Sequence, residues 1–362
     1  MLCLPAAGGE GEYFAAFKQM QTPLLATPFL SRKYQNPGVC LPFKHSEWSR
    51  FPASLVAPSS DTIPALALRI GVPVIHPNVF HNRSLLPLDR VRLSPGQVGL
   101  ICGWGIFTTL RIFRGEAFAF ERHWRRLEKD AALTRIPLNY TSAKVRVHLQ
   151  EVIRANEVSE GAARIYFIYN KAGFWHGPED QPDVDLIIYT ASLPAYRDVV
   201  RLSLRAHGRD SASPMSGVKS TSWLTNVWAI SEANQQGFDE VIMLNERGEV
   251  SECTSANIFM VREGKILTPP LSSGCLEGVT RAILMEIAPE ARLPVVEKTL
   301  FPEDLYSAEE VFISSTNRNL ISVGEIAGNK IHAPGEICGR LNDLFDAYVK
   351  DYVSRRLATA VR

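Results

Sequence analysis

The chain has 362 residues, with 39 Lys and Arg against 38 Asp and Glu and a formal net charge of +1 at pH 7. That length suffices for two domains with separate cores, and a balanced charge without a basic block or an aromatic-basic stripe argues against a nucleic-acid partner. No apolar run reaches membrane-spanning length, so no membrane partner is expected.

The start, Met1-Leu2-Cys3-Leu4-Pro5, lacks the basic region and long apolar core of a signal peptide. Six scattered cysteines (Cys3, Cys40, Cys102, Cys253, Cys275, Cys338) form neither the close pairs of a zinc site nor a disulfide framework. The expectation is a soluble cytoplasmic protein without a metal.

Residues 1–73 carry nine prolines and only Tyr13 to Met20 has a helical look, so this stretch reads as an extension with sparse regular structure. From Val74 the pattern becomes globular. Val98 to Phe113 is rich in β-branched and aromatic residues and reads as a strand, and Arg114-Gly115-Glu116 as the turn of a hairpin. Trp124, Leu127 and Ala131 predict a helix over Glu121 to Arg135, and Val145, Leu149, Val152 and Ile153 one over Ala143 to Ala155. Strands follow at Ala163 to Asn170 and Val184 to Ala191. Residues 74–190 therefore read as a small α+β domain.

Proline in Ala191-Ser192-Leu193-Pro194-Ala195-Tyr196 interrupts a strand-like run, which marks a linker over 191–197. Beyond it, strands are expected at Val200 to Ala206, Glu240 to Leu244, Asn257 to Val261, Ile266 to Pro269, Val295 to Leu300 and Val311 to Ser315. Helices are expected at Asn226 to Gln236, Val279 to Ile287 and Gly339 to Arg356. Residues 198–362 thus read as a larger, β-rich domain with helices.

Lys219 stands out within Pro214-Met215-Ser216-Gly217-Val218-Lys219-Ser220-Thr221-Ser222-Trp223-Leu224-Thr225-Asn226, among small, apolar and uncharged residues. Lys265 and Lys330 lie in turns, and Lys298 and Lys350 stand beside Glu or Asp, so those four read as solvated. A desolvated ammonium has a lowered pKa and becomes a nucleophile able to form a Schiff base. The competing reading is a lysine laid along apolar surface with its head in water.

Other segments offer groups for an anion and a heteroaromatic ring, each with a plainer alternative. Leu276-Glu277-Gly278-Val279-Thr280-Arg281 is a glycine turn feeding a helix, whose free N–H groups at Val279 and Thr280 suit an anion, or simply an ordinary helix start. Ser314-Ser315-Thr316-Asn317 presents hydroxyls and amides at a strand end, or a plain turn. Arg126, in His123-Trp124-Arg125-Arg126-Leu127, adjoins the apolar face of its helix and is either held inward as a phosphate partner or left on the surface. Glu252, before Cys253-Thr254-Ser255-Ala256-Asn257, suits the nitrogen of a pyridine ring, or is a solvated hairpin glutamate.

Taken in this order, these motifs resemble the class IV, or fold-type-IV, pyridoxal-phosphate enzymes, a group that includes branched-chain aminotransferases, D-amino-acid aminotransferases and aminodeoxychorismate lyases. The resemblance spans Val79 to Tyr348. It is carried by Gly103-Trp104-Gly105-Ile106-Phe107-Thr108-Thr109-Leu110-Arg111, His123 to Leu127, Lys219, Glu252 to Asn257, Leu276 to Arg281 and Ser314 to Asn317. It implies a two-domain α+β fold, with a smaller N-terminal α/β sandwich and a larger β-rich, barrel-like domain. It further implies pyridoxal 5'-phosphate as cofactor, Lys219 as the Schiff-base lysine, Glu252 as the pyridinium partner, and Arg126, Val279, Thr280 and Thr316 around the phosphate.

The activity it implies is ping-pong transfer of an amino group between an amino acid, branched-chain among the options, and a 2-oxo acid. The alternative is a 4-amino-4-deoxychorismate lyase releasing pyruvate and 4-aminobenzoate, with which Phe107-Thr108-Thr109 and Glu252-Cys253 with the later Ala256-Asn257 share some likeness. A homodimer is the family's default. The chain departs from the family at Cys102 and Trp104, where many relatives have the tyrosine and aspartate of Tyr-Gly-Asp-Gly, and at Trp223, where tyrosine is common. Trp104 and Trp223 are therefore candidate substrate residues, and Arg164, in the strand Ala163-Arg164-Ile165-Tyr166, is a third, or else a strand arginine facing solvent. Arg164 suits a carboxylate, as does His176 in the loop that follows, and the tryptophans suit an apolar side chain.

Overall fold

The alternation of buried side chains along Glu160–Tyr169 and Gly105–Phe113 sets the first of two sheets in the computed structural model, which describes residues 73–93, 96–171 and 182–360. All but Pro73 of the proline-rich stretch, and His176, lie outside the described residues. The elements of the first sheet are β1 (Ile75–His81), β2 (Ser84–Pro87), β3 (Gly105–Phe113), β4 (Glu116–Ala117), β5 (Glu160–Tyr169) and β6 (Val184–Ala191). They run in the order β2-β1-β6-β5-β3-β4, antiparallel throughout. Helices α1 (Val98–Cys102), α2 (Phe120–Thr134) and α3 (Ser142–Ala155) belong to the same half of the chain.

The helical stripes act as their spacing predicts. Trp124, Leu127 and Ala131 of α2 and Val145, Leu149, Val152 and Ile153 of α3 share one core with Leu110, Ile165 and Phe167 of the sheet. Each buried Leu, Ile, Val or Phe side chain among them contributes about 1.5–3 kcal/mol by leaving water.

The second sheet contains β7 (Val199–Arg205), β8 (Glu240–Leu244), β9 (Val250–Cys253), β10 (Asn257–Arg262), β11 (Lys265–Thr268), β12 (Val295–Glu297), β13 (Glu310–Ser315), β14 (Asn319–Ile326) and β15 (Asn329–Lys330). Its order is β12-β11-β10-β13-β14-β7-β8-β9, with β15 paired to β14. Helices α4 (Leu224–Gln235), α5 (Val279–Glu290), α6 (Pro302–Tyr306) and α7 (Glu336–Ala360) accompany it. Successive strand residues point to opposite faces. Accordingly, Ile258 and Met260 of β10 join one core, while Phe259 and Val261 join a second core with Ile283 of α5 and Phe345 of α7.

The α+β class expected from the sequence is what is found. Two local expectations are corrected, and one long strand is additional to those expected. Val98 to Phe113 is not one strand: Val98–Cys102 is helical, Gly103 closes it in the left-handed region at φ 66°, and the strand starts at Gly105. The expected strand at Val295 stops at Glu297. Strand β14 goes beyond the expectation, since Asn, Ser and Gly dilute its pattern. Gly324 is needed there, because a Cβ would lie 2.7 Å from Val199 Cγ1. Among the described residues, no helix is long and apolar enough to cross a membrane.

Candidate active site

Lys219 lies on a loop that the first sheet holds in place. Its carbonyl accepts from Phe107 N at 3.0 Å, Thr221 N donates to Gly105 O at 2.9 Å, and its own N–H donates to Asp130 Oδ2 at 3.3 Å. The ammonium sits 4.7 Å from the Phe107 ring centroid and 6.0 Å from that of Trp223. Lys219 lines an open pocket, yet the protein packed around its head lowers its pKa to about 7. Loss of water is the main cause; Arg126 and Arg164 add to it, while Glu252 and Asp130 oppose it. Lys265, Lys298, Lys330 and Lys350 are all exposed.

Glu252 faces the same pocket from β9. Its Oε2 accepts from Leu276 N at 3.1 Å and its Oε1 from Arg209 Nε at 3.0 Å, while Arg209 also donates to Asn226 Oδ1 at 3.2 Å. The carboxylate is therefore held in one orientation. Arg209 escapes sequence reasoning: Gly208-Arg209-Asp210 looks like a charged surface turn, and only the fold carries it to Glu252.

A third wall can hold an anion. Gly278 is the N-cap of α5 without a side-chain cap, so the first N–H groups of the helix, at Val279 and Thr280, have no partner among the described residues. Arg126, 8% exposed, reaches this wall from α2 through Nη1 to Glu277 O at 3.3 Å. Its Nη2 donates to Thr108 Oγ1 at 2.9 Å, and that hydroxyl lies 2.8 Å from His123 Nδ1. The hydroxyl accepts from the guanidinium, which only donates, and still has its own O–H to donate to Nδ1 when that nitrogen is unprotonated. Burial and nearby Arg126 hold His123 well below its ordinary pKa, so it is neutral and can accept. Arg126 Nε and Ser314 Oγ are buried without partners among the described residues, and Arg126, Val279, Thr280, Ser314 and Thr316 all line one pocket. Donors of these kinds suit an anion.

A Cβ at Gly278 would collide with the Asn257 side-chain amide, so a larger residue there forces Asn257 to move. Asn257 Nδ2 in turn holds Leu276 O at 2.9 Å. Gly278→Ala is expected to displace the N-terminus of α5, weakening inorganic phosphate binding about tenfold or more and lowering Tm by several degrees. Isothermal titration and thermal melts check both effects.

Arg164 of β5 and Trp223 also line the pocket, whose volume is about 630 Å³. Arg164 Nη1 donates to Tyr166 Oη at 3.0 Å, and no carboxylate within the described residues forms an ion pair with it. Tyr196 and Arg318, not singled out from the sequence, complete this end. Trp104 does not line the pocket: its indole Nε1 donates to Thr134 O at 2.9 Å, which turns the ring toward α2. A cavity of this size with a few convergent polar groups suits a small ligand.

The "Amino-transferase class IV" family model matches residues 105–326. A protein of Methanocaldococcus jannaschii, provisionally named a branched-chain-amino-acid aminotransferase, is 31% identical over 274 residues, 74% of this chain and 94% of its own length. The branched-chain amino acid aminotransferase of Thermoproteus uzoniensis, solved with norvaline, is similar at TM-score 0.71 and 26% identity, covering 78% of this chain and 98% of that one. A Legionella pneumophila structure, provisionally named 4-amino-4-deoxychorismate lyase, is similar at TM-score 0.66 and 25% identity, covering 72% and 97%. With its fold, pocket and six sequence blocks all pointing the same way, the chain belongs to the class IV aminotransferase family.

Proposed function

We propose that the pocket binds pyridoxal 5'-phosphate and that the chain moves an amino group between an amino acid and a 2-oxo acid. One observation carries this reading: the Lys219 amine, the oriented Glu252 carboxylate and the anion corner of Arg126, Val279, Thr280 and Thr316 all face one cavity. The unpaired donors at the anion corner fit a phosphate, and Glu252 fits a protonated ring nitrogen. When bound, the cofactor supplies the electron sink that makes a substrate Cα–H acidic.

The chain's own groups do the rest. With its pKa near 7, Lys219 Nζ is available as the neutral amine that takes the Cα proton and then returns it, so that one atom serves as base and acid. Arg164 orients a substrate carboxylate. Phe107 and Trp223 form an apolar wall, which supports a branched or otherwise apolar side chain. Donor and acceptor use the same pocket in turn, which makes the kinetics ping-pong.

Borohydride reduction of the cofactor-loaded chain followed by peptide mapping is expected to find the pyridoxyl group on Lys219; its appearance on another lysine overturns the reading. Arg164→Leu is expected to raise KM for the 2-oxo acid about 10- to 100-fold while changing kcat less, as loss of a charge-assisted hydrogen bond requires. Initial-rate kinetics separate the two.

The likeness to the Legionella protein favours one second reading, the lyase. Release of pyruvate from 4-amino-4-deoxychorismate would support it, and transfer to 2-oxoglutarate without pyruvate would exclude it. We further propose a homodimer, supported by Leu224 and Trp228 standing 78% and 63% exposed on α4 beside the pocket. We also propose a cytoplasmic setting, in which Cys102, Cys253, Cys275 and Cys338 would stay reduced.

A further inference from the structure

Asp130 has no part in the chemistry described so far, yet it is 1% exposed directly behind the reactive lysine. It lies one helical turn after Arg126 on α2, so both project from the same face of the helix. Oδ2 accepts the Lys219 peptide N–H at 3.3 Å, while Oδ1 is buried and has no partner among the described residues. A purely structural role would not call for a charge here, since an uncharged acceptor could hold one peptide N–H without the cost of burying a carboxylate.

We propose that Asp130 is a positioning residue for Lys219: one oxygen fixes the lysine's peptide, and its negative charge stands between two cations, the Arg126 guanidinium and the Lys219 ammonium. The inference rests on Lys219 being the reactive amine. The charged groups facing Lys219 are Arg126 and Asp130 from α2, Arg164 from β5 and Glu252 from β9; His123 beside them is neutral. Those facing Asp130 are Arg126, Lys129 and Lys219. Burial pushes the Asp130 carboxyl up to about 6, against the pull of these cations, so it is mainly ionised where Lys219 titrates, near 7. In that state it favours the ammonium and opposes Arg126 and Arg164. Asp130 thus limits how far the amine is depressed, while Phe107 N and Asp130 Oδ2 fix the backbone from which Nζ enters the pocket.

The test is labelling of the full-length, cofactor-free chain with trinitrobenzenesulfonate across pH, with Lys219 followed by peptide mapping. In the parent, Lys219 labelling is expected to rise with a midpoint near 7. Asp130→Asn keeps an acceptor for the peptide but loses the charge. Its midpoint is expected to move about one unit lower, so that labelling below the midpoint is roughly tenfold faster while the high-pH plateau is unchanged. Asp130→Ala is expected to move the midpoint in the same way and also to reduce the plateau, because the peptide is freed. Should the alanine variant fail to fold, the asparagine variant alone decides. Coincident midpoints for parent and Asp130→Asn overturn the inference and leave the reactive lysine standing. A parent Lys219 that labels only where the exposed Lys265 and Lys350 do overturns the proposed function, and this inference with it.

Discussion

Lys219→Ala is expected to abolish covalent capture of pyridoxal phosphate and to cut the rate of amino-group transfer by about 10⁴-fold, since nucleophile and proton shuttle disappear together. The same variant should be more stable than the parent when both are free of cofactor. The folded-state pKa of Lys219, about 7, lies below the ordinary 10.5, so between these values the unfolded chain binds the proton that the folded chain has released. Stability from this group therefore rises with pH across that window, and its full cost is present below it. The gain in Tm for the variant is thus expected to be largest near pH 6 and to shrink toward pH 10. Thermal melts at both values check the sign, and a gain that grows with pH would refute the assignment of a depressed amine.

Glu252 is the second position where a small change has large consequences. Its two oxygens accept from Leu276 N and Arg209 Nε, and an amide can offer only one acceptor to these two donors. Glu252→Gln is therefore expected to lose about 1–3 kcal/mol of stability, read from denaturant melts. The rate is expected to fall about 10²- to 10³-fold as the charge facing the ring is removed. Glu252→Ala additionally leaves Arg209, whose side chain is only 17% exposed, without an anionic partner. It should be the less stable of the two variants. Equal stability would mean that Arg209 finds another counter-charge.

Much of this was legible because periodicity and contrast are local properties. The apolar spacing in α2 and α3 marks the faces that pack on the first sheet, and the unbroken apolar run Val241 to Leu244 marks a strand buried on both sides. Uncharged neighbours make Lys219 stand out from the other lysines, and the resemblance to the family's blocks gives it its proposed role. The residues that orient it were not legible. Nothing in Glu128-Lys129-Asp130-Ala131 separates Asp130 from a solvated charge, and its partner is 89 positions away. Arg209 meets Glu252 across 43 positions for the same reason. Trp104 stands out only as a departure from the family's block, which cannot tell that its indole donates to a carbonyl of α2 rather than lining the pocket.

The two sheets do not contribute alike to the pocket. The Lys219 peptide is fastened to β3 and α2, and Arg126 comes from α2, whereas Glu252, Val279, Thr280 and Thr316 belong to the second sheet and its helices. A molecule bonded to Lys219 and gripped by Glu252 and α5 would rivet the two halves of the chain together. Cofactor loading would then act as a structural fastener as well as a chemical one, so that the supply of that ligand also sets how much of the protein survives heat and proteolysis.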